Sequence, residues 1–228
     1  MNVFIHHFLF YSETPESTFD SLKIKYGLPE VFPITNFGFF KSGMLWLKNS
    51  YLEIVNYPKD IPAPNSNQLE TRFVGIAFKT DLSPEQTLEF LNKNHIKSSE
   101  ILNEDVLDNE GNKVNIAKII LLNDYLHDFR IFFVFHTNDF FETKEKIMPN
   151  EEGFTFKKCL LSVHNSLKVI ELFKKLGFTF TDANVFKTFT HQTIQIIDSE
   201  NLATDIIDFE IQRKDKNINI LKKPIFDD

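Results

Sequence analysis

The sequence predicts an α+β fold made of a β-α-β-β-β unit repeated three times, and three observations predict it. Strand-like apolar runs at 4–11, 72–80 and 156–163 each stand directly before a helix start. The helices open near Pro15, Pro84 and Leu167, and each is succeeded by short alternating runs with turn residues between them. A unit of this size buries too little apolar surface to stand alone, so the copies are expected to pack against one another.

The first unit spans 1–57. Its opening strand, FIHHFLFY, carries His6 and His7 inside an apolar run. Thr14 is placed to cap the helix, Pro15 suits its first position, and Glu16 complements the N-terminal dipole. Phe19, Leu22 and Tyr26 follow at helical spacing, and Gly27 ends the element. Runs at 37–41, 44–48 and 51–57, separated by Ser42-Gly43 and Asn49-Ser50, read as antiparallel strands. The last of them, YLEIVNY, carries Glu53.

Residues 58–71, with Pro58, Pro62 and Pro64, read as a linker. The second unit, 72–137, opens with the buried strand RFVGIAFKT. Ser83 and Gln86 form a capping box with Pro84 first in the helix, and Leu88 and Leu91 line it. An extended stretch at 99–106, a turn at 109–112 and strands at 113–122 and 130–137 complete this copy. Residues 138–153 read as a polar, acidic connector. The third unit, 154–212, starts with the strand at 156–163. Asn165 or Ser166 caps a helix carrying Leu167, Ile170, Phe173 and Leu176, which stops at Gly177. Strands at 183–190, 191–197 and 205–212 follow, and 213–228 reads as a charged tail.

Composition excludes several functions. Net charge is −7, and Lys157-Lys158, Lys174-Lys175 and Lys222-Lys223 are isolated pairs, so the chain lacks an electrostatic footprint for nucleic acid or an anionic membrane. No apolar run approaches the roughly 20 residues of a membrane span, and no basic region precedes an apolar core and cleavage site at the N-terminus. The single cysteine, Cys159, fits a reducing compartment, and the expectation is a cytoplasmic protein. The 26 Phe are spread along the whole chain, which reads as codon bias rather than as one aromatic ligand cleft. No Ser-His-Asp arrangement, phosphate-cradling glycine loop or zinc-finger spacing is present.

What remains is a small set of ionisable residues inside apolar strands. Burying such groups is costly unless they are paired or bind a metal, so His7 and Glu53 mark a pocket if their strands are neighbours. Strand alternation points His6 away from His7, towards the surface or a helix.

A repeated β-α-β-β-β unit with ionisable residues on its first and fourth strands resembles the vicinal oxygen chelate superfamily, which contains glyoxalases, extradiol dioxygenases and bleomycin-resistance proteins. IHHFLFY at 5–11, YGL at 26–28, YLEI at 51–54, VGIAFKT at 74–80 and FFVFH at 132–136 are similar in order and spacing to its glyoxalase-like branch. The resemblance implies that two units pair so that curved, mostly antiparallel sheets enclose a cleft. First and fourth strands there give up to four ligands to a divalent metal (Fe, Mn, Zn or Ni) that acts as a Lewis acid. His7 and Glu53 match two of those positions. In the second unit the positions fall near Gly75 and Val134, which cannot ligate. His136 lies two residues beyond Val134 on the same face and becomes a third ligand if the register slips by two. The third unit offers Glu210 within FEI, paralleling LEI at 52–54, and Cys159 near its first-strand position, but sequential units are expected to pair.

Trp46 and Arg130 are the candidate pocket residues, Arg130 as a bidentate holder of a ligand carboxylate. The plainer readings are core packing for Trp46 and a solvated strand end for Arg130. His164 and His191 read as surface, and Cys159 as an inert buried thiol. Two functional readings stay open. One is a metal-dependent lyase, isomerase or dioxygenase acting on a small oxygenated molecule; the other is a metal-free protein that binds a small organic ligand in the same cleft. The third unit has no obvious fourth unit to pair with, which makes pairing across a homodimer an expectation.

Overall fold

A computed structural model describes residues 1–57, 71–107, 110–122, 126, 129–148, 153–182, 184–199, 204–214 and 216–220. The stretch read as a linker lies outside the described residues, except for Thr71, as do Asn109 of the expected turn and residues 221–228 of the tail.

The first unit consists of β1 (Val3–Ser12), α1 (Pro15–Tyr26), β2 (Glu30–Asn36), β3 (Lys41–Leu47) and β4 (Ser50–Asn56). The second consists of β5 (Thr71–Thr80), α2 (Pro84–Lys93), β6 (Leu102–Leu107), β7 (Lys113–Leu121) and β8 (Arg130–His136). A further helix, α3 (Phe140–Ile147), follows. The remainder is β9 (Thr155–Val163), α4 (Ser166–Lys175), β10 (Thr179–Asp182), β11 (Val185–Lys187), β12 (Thr193–Asp198), β13 (Asp205–Arg213) and β14 (Lys216–Asn219). No helix among the described residues is long and apolar enough to cross a membrane.

Local chemistry explains most helix ends. Ser83 Oγ accepts from the Gln86 N–H at 3.2 Å while Gln86 Oε1 accepts from the Ser83 N–H at 3.0 Å, completing the capping box of α2. Gly27 closes α1 in the left-handed region at φ 66°, where a side chain would be strained. Thr14 makes no side-chain cap; Ser12 Oγ accepts from the Thr14 N–H instead, at 3.1 Å. Asn165 caps α4 by accepting from the Lys168 N–H.

The strands form two curled mixed sheets. The first runs β2-β3-β4-β1-β5-β8-β7-β6, so the first two units join through an antiparallel β1–β5 seam, with β4 parallel to β1 and β8 parallel to β5. The second runs β10-β11-β12-β9-β13-β14 and repeats this plan with β12 parallel and β13 antiparallel to β9. The third copy therefore closes with β12. The strand at 205–213, read from the sequence as its last, is instead the first strand of an incomplete fourth copy, and β14 within the expected tail is its partner.

Register makes the repetition specific. In each seam the ladder slips by one residue at two places, leaving His6 and Val74 unpaired in β1–β5 and Lys157 and Ile207 unpaired in β9–β13. His7, Gly75, Lys158 and Asp208, each one residue after a bulge, are thus equivalent positions in the four copies. The cross-strand pairs His7 with Tyr51 and Gly75 with Arg130 then make Phe132 the counterpart of Glu53, and the pair Lys158 with Thr193 makes Gln195 its counterpart in the third copy.

The two sheets pack back to back through alternate residues. Phe8, Phe73, Phe156 and Phe209 are fully buried, with Phe73 stacked on Phe209 at 5.2 Å and Phe8 set against Phe156 at 4.6 Å and Phe209 at 4.8 Å. Such pairs add about 0.5–1.5 kcal/mol each beyond the area they bury. Polar ties reinforce the contact: Asn49 exchanges two hydrogen bonds with the Phe156 backbone, at 2.8 and 3.0 Å, and the Phe73 N–H donates to Asp205 Oδ1 at 2.9 Å. Burying Phe8 and Phe10 in this interface turns His7 and Leu9 to the opposite, concave face of the first sheet.

Candidate functional site

The concave face of the first sheet encloses a cavity of about 510 Å³. Its floor is apolar, built from Leu9, Val55, Phe132 and Val134, with Ile119 and Leu121 beside them. Phe32, Phe37, Phe39 and Phe40, from the β2–β3 hairpin, form one wall, and Phe140 and Phe141 of α3 form another. The rim closes where β6 arches back to the first unit: the Leu107 N–H donates to the Phe37 carbonyl at 3.3 Å.

His7 and Glu53 meet in this cavity, because β1 and β4 are parallel neighbours with Leu9 opposite Glu53 and His7 opposite Tyr51. His7 Nε2 lies 3.1 Å from Glu53 Oε2, and Ser42 Oγ donates to Glu53 Oε1 at 2.6 Å. Burial drives the Glu53 carboxyl upward, but the His7 and Ser42 hydrogen bonds and the His7 charge outweigh it and hold the group below the usual carboxylate range. An ionised Glu53 only accepts, so His7 Nε2–H is the donor.

The bulge at His6 overturns strict alternation. Instead of pointing away, the His6 ring is buried beside His7, with the two Nδ1 atoms 2.7 Å apart, so one of them carries the proton. His6 also packs on Tyr51, His136 and Phe141 at 5.1, 4.9 and 5.2 Å between ring centroids. Burial, then the charges of His7, His136 and Lys79, hold His6 well below the ordinary imidazole value. His136 falls to about 4, chiefly through burial, then through the His7 charge. Both rings are neutral near pH 7.

The stretch read as an acidic connector holds α3, which plugs one end of the concave face. Phe141 wedges against His136 at 4.2 Å, and the Tyr51 hydroxyl donates to Glu145 Oε1 at 2.7 Å. Trp46 lies behind this plug, buried with Val31, Met44 and Tyr51, and lines a second cavity with His6 and Lys79 rather than the cleft that holds Glu53. The signals for α3 were present: Asn138 and Asp139 before Phe140, Glu142 in the first turn and lysines in the last.

At the other end of the cleft Arg130 opens β8, with its guanidinium 4.9 Å over the Tyr57 ring and Nη1 donating to Tyr57 Oη at 3.4 Å. Gly75 beside it admits no side chain, since a Cβ there would stand 2.7 Å from the Arg130 carbonyl oxygen. Glu104 of β6 faces the same space. Burial, then the Glu53 charge, push the Glu104 carboxyl up to about 7, against the pull of His7 and Arg130. Glu104 was not singled out from the sequence, because a glutamate in an exposed-looking stretch carries no local sign that a curled sheet will aim it inward.

No family model matches this chain, and no curated protein sequence matches it. Solved structures do. A hypothetical protein from Staphylococcus aureus superposes with a TM-score of 0.62 at 11% identity, over 90% of this chain and 89% of that one. A variant of 4-hydroxymandelate synthase from Streptomyces coelicolor, a vicinal oxygen chelate protein, superposes with a TM-score of 0.61 at 8% identity, over 92% of this chain and 71% of that one. The chain has the vicinal oxygen chelate fold.

His7 and Glu53 occupy the first and fourth strands of the first unit. Their counterparts in the second unit are Gly75 and Phe132, not Gly75 and Val134, and His136 is the counterpart of Tyr57. His136 Nε2 is buried with no hydrogen-bond partner, yet among the described residues no three His, Cys, Asp or Glu side chains form a group that could hold a metal ion. Glu210 stands on β13 at the place of Ala77, and Cys159 is a fully buried thiol pushed up by burial, then by Asp208. The donor set does not fit a four-ligand divalent site.

Proposed function

We propose that this chain binds a small, largely apolar organic molecule in its concave cleft, without a metal ion at the superfamily's ligand positions. The observation that carries the reading is the 510 Å³ cavity itself: aromatic and branched walls, with a few polar groups at His7–Glu53, Arg130 and Glu104. Ligand sites of about 300–1,000 Å³ share this composition, the apolar wall supplying affinity and the polar groups orientation. Glu53 fixes the direction of the His7 ring, and a hydrogen bond joins His7 to His6, so this polar group is oriented before a ligand arrives.

Anilinonaphthalene sulfonate, an apolar aromatic probe, tests this by fluorescence titration. The wild type is expected to take up one equivalent whether or not it has been treated with a chelator. Val134→Trp, which fills the floor, should abolish uptake while the far-ultraviolet circular dichroism stays unchanged. Unaltered affinity in Val134→Trp would sink the reading. So would a stoichiometric divalent ion that survives chelation in the wild type and is lost in His7→Ala. That second result would favour the metal-dependent lyase, isomerase or dioxygenase, for which the His7–Glu53 pair is the supporting observation.

A further inference from the structure

Two ionisable side chains in the cleft have fewer polar partners than their burial demands. Arg130 makes one long hydrogen bond, to Tyr57 Oη at 3.4 Å, and otherwise rests on the Tyr57 ring. Glu104 has no side-chain hydrogen bond or ion pair among the described residues, and the two do not pair with each other. Both are only partly exposed, and both face the cavity. By contrast, each carboxylate oxygen of Glu53 has a partner, Oε2 in His7 and Oε1 in Ser42. A partly buried charge without a partner is costly, so a protein that keeps one of each sign in a single pocket is completed by a ligand that carries both.

Resting on the small-ligand reading above, we propose that the ligand is a zwitterion, an aminocarboxylate with an apolar body, whose carboxylate is held by Arg130 and whose ammonium is held by Glu104. The guanidinium fork matches a carboxylate in two parallel hydrogen bonds, and the Tyr57 ring supports it from 4.9 Å. Glu104 gains from an ammonium what the protein denies it: its carboxyl is pushed up to about 7 by burial and by Glu53, and the attraction of a cation beside it opposes that rise. The apolar body of the ligand lies on Phe40 and Phe132, whose ring faces also favour a nearby cation. The neutral His6 and His136 add no competing charge at the plugged end.

The test is calorimetric titration with probes built on one aromatic ring: phenylalanine and the longer para-aminomethyl-phenylacetate as zwitterions, phenethylamine as the cation, hydrocinnamate as the anion and benzyl alcohol as the neutral form. At least one zwitterion is expected to bind about tenfold or more tighter than either singly charged probe, the scale of one charge-assisted contact. Glu104→Gln should lower its affinity to that of hydrocinnamate, and Arg130→Met to that of phenethylamine, with Arg130→Lys between. Binding of the neutral alcohol as tightly as the zwitterions, or an unchanged ranking in correctly folded Glu104→Gln and Arg130→Lys, overturns the proposal and leaves the small-ligand reading standing. A cleft that takes up no probe, the neutral one included, sinks both.

Discussion

Replacing Glu104 by Gln should stabilise the protein at alkaline pH and leave it almost unchanged at acid pH. The groups that face Glu104 are Glu53 from β4, His7 from β1, Arg130 from β8 and Tyr57 after β4, and burial with the Glu53 charge wins, raising the carboxyl from 4.5 to about 7. The folded protein therefore holds this proton more tightly than the unfolded chain does. Its contribution to stability is fully present below 4.5 and is lost as the pH rises through about 7. At about 1.4 kcal/mol for each tenfold change in proton affinity, the loss reaches about 3 kcal/mol, an upper bound because the carboxyl keeps some contact with solvent. Gln keeps the shape and cannot ionise. Urea unfolding of wild type and Glu104→Gln from about pH 5 to about pH 8.5 reads the difference directly. Comparing the two proteins matters, because His6 and His136, held low, titrate in the opposite sense and destabilise the fold as the pH falls below 6.5. A difference between the variants that stays flat with pH would refute the account of Glu104 as a buried carboxyl raised by its surroundings.

Two further outcomes follow from packing. Gly75→Ala should cost about 1–3 kcal/mol, since its Cβ would meet the Arg130 carbonyl oxygen at 2.7 Å and the Arg130 Cβ at 3.2 Å across the β5–β8 ladder; a denaturant midpoint equal to wild type would show that the strands part freely there. Asn49→Ala should cost about 1–3 kcal/mol by stripping both partners from the Phe156 backbone, and hydrogen exchange at the start of β9 should rise, because this contact joins the β3–β4 turn to the second sheet.

What was legible in the sequence is what short-range chemistry controls. Pro15, Pro84 and the Ser83–Gln86 box set helix starts, Gly27 set a helix end, and the apolar first strands stand where the runs at 4–11, 72–80 and 156–163 placed them. The His7–Glu53 meeting was legible as well, since both sit in apolar strands that a β-α-β-β-β unit makes neighbours. Errors entered where local pattern is weak. The second strand of the first unit is at Glu30–Asn36, around Pro33, which is tolerated because β2 is a sheet edge.

Tertiary structure alone decided the rest. Whether the His6 ring is buried beside His7 depends on a one-residue slip against β5, a strand far along the chain, and no local pattern announces it. The assignment of 205–213 to a fourth copy depends on antiparallel pairing with β9, and the inward aim of Glu104 depends on the curl of eight strands. The sequence by itself determined three of the four described helices and the first strand of each unit, because caps, turns and alternation act over a few residues, and it marked His7 and Glu53 as a pair to the extent that their strands are neighbours. Which other side chains share their pocket was decided by long-range register, where a shift of one residue exchanges the buried face for the open one.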